Sequence, residues 1–419
     1  MQLKKMLLTL LLFTGSLLFA DGNVTDENAS NLLPTPGGAA SVGSQLVEDS
    51  HAKGFFDFLP ELTAYYDKYK RKLYDDYGFS FGFDYNVLFQ TVTHSLDKNS
   101  ACGEAFRVYG EWSHDANDAA DRGALVYKAD YRRTVGTVLA PGELGIDAGY
   151  AGVTGRSFTD AGWALRNLYW VQHLYGDRAG FVIGIVDVTD YVDVYGFTNP
   201  WTDFSNAAFA NTPTIPTPGQ GFGAAARFTP TDHIYLVAGI ADANGDPTAP
   251  ADTFDSIADQ GEFFSHIEMG WVFSWARRYT DNIHLTAWHA DARTEAEVEE
   301  GWGMAFSFCR IVDEVWEPFL RTGFADNGGA MWSRSVSAGT GYHFSDSTSE
   351  LGVGLNWSRP AADVFGPGLS DQYTGELYYR FQVLKMVSIT PDVQLLVNPA
   401  LNPKSDTMAV FGLRGRLNF

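Results

Sequence analysis

The chain is poor in three things that would otherwise direct its reading. It has two cysteines, Cys102 and Cys309, in 419 residues, too few for a disulfide framework. They either bridge in an oxidising periplasm or remain two free thiols. No stretch beyond the N-terminus holds about eighteen consecutive apolar residues, which argues against helical membrane spans. Positive charge is scarce: 29 Lys and Arg stand against 51 Asp and Glu, a formal charge of -22. An acidic chain of this kind is not expected to bind nucleic acid. No P-loop, zinc motif or cofactor fingerprint is present.

What is present begins with Lys4 and Lys5 followed by an apolar run from Met6 to Phe19 and a small residue, Ala20. This reads as an export signal over residues 1–20. Residues 21 to about 50 are rich in Asn, Ser, Gly and Pro and read as a flexible lead-in. Over 55–77, apolar and aromatic residues (Phe55, Phe56, Phe58, Leu62, Tyr65, Tyr66, Tyr69, Leu73) interleave with charges. That spacing predicts one or two short amphipathic helices, on the periplasmic side, so that 21–77 forms a lead-in with helices.

From Gly78 the period becomes two. Phe79, Phe81, Phe83, Tyr85, Val87 and Phe89 alternate with Ser80, Gly82, Asp84, Asn86 and Leu88. Successive strand side chains point to opposite faces, so such a segment presents an aromatic face and a polar one. The alternation returns at 125–132, at Leu144/Ile146/Ala148/Tyr150, at 267–273, and in the closing strand that ends in Phe419. With twelve further candidates this makes about seventeen strands, whereas a closed bacterial barrel needs an even number. The fold class is therefore all-β: over 78–419, a transmembrane antiparallel up-and-down barrel of about sixteen strands, with eighteen the alternative. Composition alone would also suit a soluble all-β chain; the aromatic-out, polar-in period decides.

Connections alternate in length. Gly176-Asp177, Thr229–Asp232 and Ser345–Thr348 are short and fall on the periplasmic side; 189–219, 242–261 and 359–371 fall outside. The longest, Thr189–Gly219, carries Tyr191, Tyr195, Trp201 and several prolines. Such a loop is uncommon unless functional. It is expected to fold inward as a constriction loop bearing Asp190, Asp193 and Trp201; the alternative is an outer cap.

Gly78-Phe79-Ser80-Phe81-Gly82 matches a hydrolase elbow, but that chemistry needs a strand–turn–helix, and here the match lies within a strand pattern. Asp242–Asp246 resembles the start of a calcium loop, yet Thr253 stands where the ligating Glu belongs; an Asx turn fits better. No catalytic residue, metal ligand or cofactor is expected. Phasing each strand by its apolar face gives the lumen: Arg107, Glu111, Lys128, Asp130, Arg132, Arg166, Arg227, Glu268, Trp288, Glu317, Arg321, Glu376 and Arg380. Acids and bases are mixed, whereas a strongly ion-selective pore lines its constriction with one sign. Mixed pairs beside an aromatic ring suit sugar hydroxyls, which donate and accept.

At Gly180–Asp193, at Asn206–Pro216, at Ile389–Gln394 with Asn398-Pro399, and at Phe411–Arg414, the chain resembles the carbohydrate-selective porin family of the OprB type, over about residues 65–419. The resemblance implies a sixteen-stranded outer-membrane barrel passing sugars, with a constriction of arginines and acids and an inward loop. The family's usual Gly-Asp-Trp-Gly-Gly is replaced by Tyr74-Asp75-Asp76-Tyr77-Gly78. The expected function is passive diffusion of small hydrophilic solutes, with carbohydrates favoured. Expected partners are the solute, outer-membrane lipid and lipopolysaccharide. The alternatives are a porin for small organic acids or amino acids, a barrel enzyme of phospholipase type, and a closed structural barrel. Oligomeric state is left open.

Overall fold

The computed structural model describes residues 37–58, 60–113 and 121–419. The expected export signal and residues 21–36 of the lead-in lie outside them. Among the described residues sixteen strands run in order: β1 (Phe79–Val92), β2 (Ser100–Ser113), β3 (Gly123–Thr134), β4 (Gly162–Leu174), β5 (Ala179–Val186), β6 (Gly221–Phe228), β7 (Ile234–Asp242) and β8 (Phe263–Val272). The second half comprises β9 (Asn282–Ala290), β10 (Gly301–Cys309), β11 (Trp316–Asn327), β12 (Trp332–His343), β13 (Glu350–Pro360), β14 (Gln372–Leu384), β15 (Val387–Val397) and β16 (Thr407–Asn418). Each strand pairs antiparallel with its neighbours, and β1 closes on β16 from Asp84↔Asn418 to Val92↔Val410. Phe419 completes the seam through its amide, which donates to the Phe83 carbonyl at 2.8 Å. A closed ladder leaves no strand edge unpaired, which is what lipid demands of a sheet.

The two faces meet different surroundings. Tyr85, Phe89, Ile267, Met269, Phe411 and Leu413 point outward and are exposed, while Asp84, Asn86, Gln90, Glu268 and Arg414 between them are buried. Leaving a large apolar side chain in water forgoes about 1.5–3 kcal/mol, so these outward rows are stable only against hydrocarbon. Near the periplasmic rim Trp316, Tyr342, Phe344, Tyr379, Phe381 and Phe55 form a chain of ring contacts at 4.8–6.2 Å. That is the aromatic girdle expected where the wall leaves the bilayer.

One expected strand is a helix. Residues Pro141–Ala148 form a helix with proline in its first turn; Gly149 ends it in the left-handed region at φ 90°. The alternating Leu144, Ile146 and Ala148 also contain an i, i+4 pair, and it is Leu144 and Ala148 that are buried while Ile146 is exposed. Proline at the first helical position and glycine just beyond the last were the decisive signals. Removing this segment reduces the seventeen candidates to sixteen.

The lead-in also departs from expectation. Residues Val42–His51 form helix α1, with Val42, Gln45, Leu46 and Asp49 buried at helical spacing. It lies inside the periplasmic half of the barrel: Arg107 of β2 donates to Gln45 at 3.2 Å, Arg380 of β14 to Glu48 at 3.0 Å, and Arg416 of β16 to Asp49 at 3.1 Å. The chain leaves at the rim, where the Phe55 and Phe56 amides donate to the Gln382 and Val383 carbonyls. Helix α2 (Pro60–Tyr77) follows and is tied to the β14–β15 turn by Lys385–Asp67 at 2.5 Å.

Ile267 lies mid-strand on the outer face. Ile267→Arg is expected to lower stability in phospholipid vesicles by about 2–4 kcal/mol, measured by equilibrium denaturation.

The lumen constriction as candidate functional site

The segment between β5 and β6 turns into the barrel. Its first turn, Val188–Asp190, is capped by Asp187, whose side chain accepts from the Thr189 amide at 3.1 Å. Asp190 then meets the wall: Lys128 of β3 donates to both its oxygens at 2.9 and 2.8 Å, and Asn167 of β4 donates at 2.7 Å. A bulge makes that contact available. Pairing between β3 and β4 slips at Lys128/Ala129, so the consecutive Arg166 and Asn167 both face inward. Arg166 reaches Asp130 at 3.0 Å. A bulge re-aims side chains in this way at the cost of local pairing.

Asp193 is the deepest anchor. It adopts φ 54° and is fully buried. Its carboxylate faces Arg321 of β11 in an ion pair, His284 of β9 at 3.2 Å and the Thr212 amide at 2.6 Å. Its own amide donates to Glu268 of β8 at 2.8 Å. Further along, the Ser205 and Asn206 amides donate to the two oxygens of Glu376 on β14 at 2.7 and 2.9 Å. Arg414 of β16 donates to the Pro200 and Asp203 carbonyls, and Arg321 to the Asp193 carbonyl. Backbone that would otherwise lie unsatisfied inside the barrel thus receives partners from β8, β11, β14 and β16.

Between these anchors the loop's aromatics form a dry layer. Phe204 contacts Phe209 at 4.7 Å and Tyr378 of β14 at 4.8 Å, while Tyr195 and Phe197 pack on Phe319 of β11. The β11–β14 side of the lumen is filled. A cavity of about 390 Å³ stays open beside β2–β4, lined by wall residues Arg107, Lys128, Asp130, Arg132 and Arg166 and by loop residues Asp190, Trp201 and Asn211. Its floor includes Ala40, just before α1. The β3–β4 connection adds Arg156, which donates to the Phe197, Thr198 and Phe204 carbonyls.

Of the thirteen wall residues singled out by strand phase, twelve are buried on the inner face and Arg132 is partly buried, but they divide by location. Arg107, Asp130 and Arg166 border the cavity with Asp190 and Trp201 of the loop. Glu268, Arg321 and Glu376 hold the loop, together with Asp193. Glu317 lies 2.8 Å from His343, and Arg380 binds Glu48 of α1. Arg227 donates to the Asp177 carbonyl at the periplasmic turn at 2.9 Å, and Trp288 packs on Gly303 and Gly328. Glu111 is buried in β2 opposite Val126. Sequence reasoning missed Arg156 and the helix ligands Gln45, Glu48 and Asp49, because irregular connections carry no phase. Cys102 and Cys309 are free, the latter donating to Glu317 at 2.9 Å. Ser80 lies inside β1. In the Asp242–Asp246 turn, Asp242 accepts from the Asn244 amide, Thr253 and Ser256, an Asx turn.

A closed sixteen-strand barrel with lipid-facing outer rows and a polar lumen narrowed by an inward loop defines a porin of the bacterial outer membrane. The family model for the carbohydrate-selective porin, OprB family, matches residues 133–296 and 312–419. The chain belongs to that family and is an outer-membrane carbohydrate porin. Among solved structures it is similar to Pseudomonas putida OprB in its high pH structure, with TM-score 0.68, 13% identity, and coverage of 88% of this chain and 99% of that one. The low pH structure of the same protein matches with TM-score 0.51 and 13% identity over 85% and 98% of the two chains. A comparison with curated protein sequences finds no significant match.

Removing one side of a buried ion pair costs about 3–5 kcal/mol, because the other charge is left unpaired. Asp193→Ala is expected to lose stability of that order and to release the loop. Limited proteolysis of the reconstituted protein should then cut within 189–219, where the unaltered chain resists.

Proposed function

We propose that solute crosses by passive diffusion, entering from outside into the 390 Å³ cavity and leaving to the periplasm after α1 withdraws from the lumen. The observation that carries this route is the position of α1 below the cavity. Its apolar footing is small, Val42 and Leu46, and its polar hold is through Gln45, Glu48 and Asp49 on wall arginines, with Tyr109 and Asn418 also donating to Asp49. Burying two such side chains contributes about 3–6 kcal/mol; Gln45 and Asp49 are buried with their partners, and Glu48 is partly exposed. A helix held this way exchanges far more readily than the loop with its aromatic layer.

Within the cavity, Asp130, Arg166 and Asp190 meet solute hydroxyls, and Arg107 lies at its edge. The anchoring residues Asp193, Glu268, Arg321 and Glu376 act by positioning the loop, and Glu111, Arg227, Trp288 and Glu317 brace the wall. The channel performs no chemistry on what it passes. Residues 1–20 are removed on export, outer rows meet lipid, and acidic outer loops reach lipopolysaccharide through divalent ions.

The test is conductance of the full mature chain in planar bilayers together with a variant lacking residues 37–51. Current through the full chain should fall when glucose is added, and the deletion should raise unitary conductance several-fold. Equal conductance for the two chains would contradict the route through α1; no conductance from either would contradict a porin.

A further inference from the structure

The sign of charge in the lumen is not uniform, and the loop is what sorts it. The wall carboxylates Glu268 and Glu376 are turned onto loop amides, and Asp193 is enclosed by Arg321, His284 and the Thr212 amide. All three acids lie beneath the loop, and none of them lines the cavity beside β2–β4. The cavity keeps the bases. Arg107, Lys128, Arg132, Arg156 and Arg166 line it, against the carboxylates Asp130, Asp187 and Asp190. Five cations line it against three anions, and Arg107 is paired with Asp84 behind the lining, which leaves a local surplus of one positive charge in a chain whose formal charge is -22.

The partners show where the surplus sits. Arg132 and Arg166 share the single carboxylate of Asp130, at 2.6 and 3.0 Å. Arg156 is hydrogen-bonded to neutral carbonyls. The aromatic ring of the constriction is also committed: Arg107 and Arg132 lie over Trp201, with guanidinium carbons 4.2 and 5.3 Å from its centroid. Phe158 packs on it at 5.3 Å. Trp201 therefore works as a platform for two guanidinium groups and not as an open face for a pyranose. Planar guanidinium forks suit a carboxylate, which they can engage with two parallel hydrogen bonds.

We propose that the preferred solute is an anionic carbohydrate, a sugar acid bearing one carboxylate, drawn through the cavity by the guanidinium groups of Arg132, Arg156 and Arg166. This deepens the carbohydrate-porin reading and rests on it. The volume of 390 Å³ is near the low end of small-molecule sites, roughly 300–1,000 Å³, and takes one or two sugar rings. The surplus is modest because Asp130 and Asp190 neutralise part of it. Conduction needs that balance: a solute must be attracted enough to enter and held weakly enough to leave.

The experiment uses the full mature chain. A potassium chloride gradient across a planar bilayer gives the reversal potential, and proteoliposome uptake compares glucuronate, glucose and glucose 6-phosphate. The reversal potential should favour chloride. Glucuronate should enter several-fold faster than glucose at about 0.01 M salt, where the screening length is about 30 Å, with the advantage shrinking near 0.15 M, where it is about 8 Å. Arg132→Gln, which leaves Arg166 on Asp130, should shift the reversal potential toward potassium and slow glucuronate. The unaltered protein supplies the test even if that variant fails to assemble. Potassium selectivity, or glucuronate no faster than a glucose that does enter, overturns the proposal and leaves the carbohydrate porin standing. Uptake of the phosphate dianion above that of glucuronate overturns the assignment to sugar acids. If no sugar enters, the porin reading falls and takes this proposal with it.

Discussion

A long connection cannot rest inside a barrel unless its peptide groups find partners there, since buried N–H and C=O groups without them cost free energy comparable to a lost hydrogen bond. This constraint organises the lumen. Wall acids Glu268 and Glu376 accept the loop's amides, Arg414 and Arg156 donate to its carbonyls, and Asp193 ties the turn to Arg321 and His284. Once those groups are committed, Tyr195, Phe197, Phe204 and Phe209 can pack against Phe319 and Tyr378. The lumen becomes half core and half passage.

The division has an electrostatic consequence. Acids are the natural acceptors for amide N–H groups, so anchoring a loop by its amides draws carboxylates under it. The bases on β2–β4 have no such task and remain on the passage. A barrel whose inner wall mixes signs along the sequence thereby acquires a passage in which bases outnumber acids. The periplasmic end is held differently: α1 rests on two apolar side chains and on pairs to Arg107, Arg380 and Arg416. One insert is fixed by a broad aromatic layer and the other by a small apolar footing and polar pairs, which separates the part that shapes the passage from the part that closes it.

The wall was legible because it has a period. Phe79–Phe89 against Ser80–Leu88 fixes which face meets lipid, and the same phase sets Arg107, Glu268, Arg321 and Glu376 on the inner side. The inserts have no period, and there the sequence misleads. Leu144, Ile146 and Ala148 alternate like a strand, yet Pro141 and Gly149 bracket a helix. Residues 42–51 look like polar lead-in, although Val42, Leu46 and Asp49 share one helical face. Phase also could not say which inward residues solute meets. That depends on where the loop lies, and a mixed list of acids and bases along the strands concealed their spatial sorting. Trp201 was expected on the constriction loop; that Arg107 and Arg132 cover its ring is a contact between elements far apart in the chain.

The partition of the lumen can be read from thiol chemistry. Cys309 is fully buried beneath the loop and bonded to Glu317, whereas Ser157 lines the cavity. In a Ser157→Cys variant exposed to a charged, membrane-impermeant thiol reagent, peptide mass analysis should find the introduced thiol modified rapidly while Cys309 stays unmodified. Comparable modification of both would mean that water reaches the aromatic side as freely as the passage, and the half-core, half-passage account would be wrong.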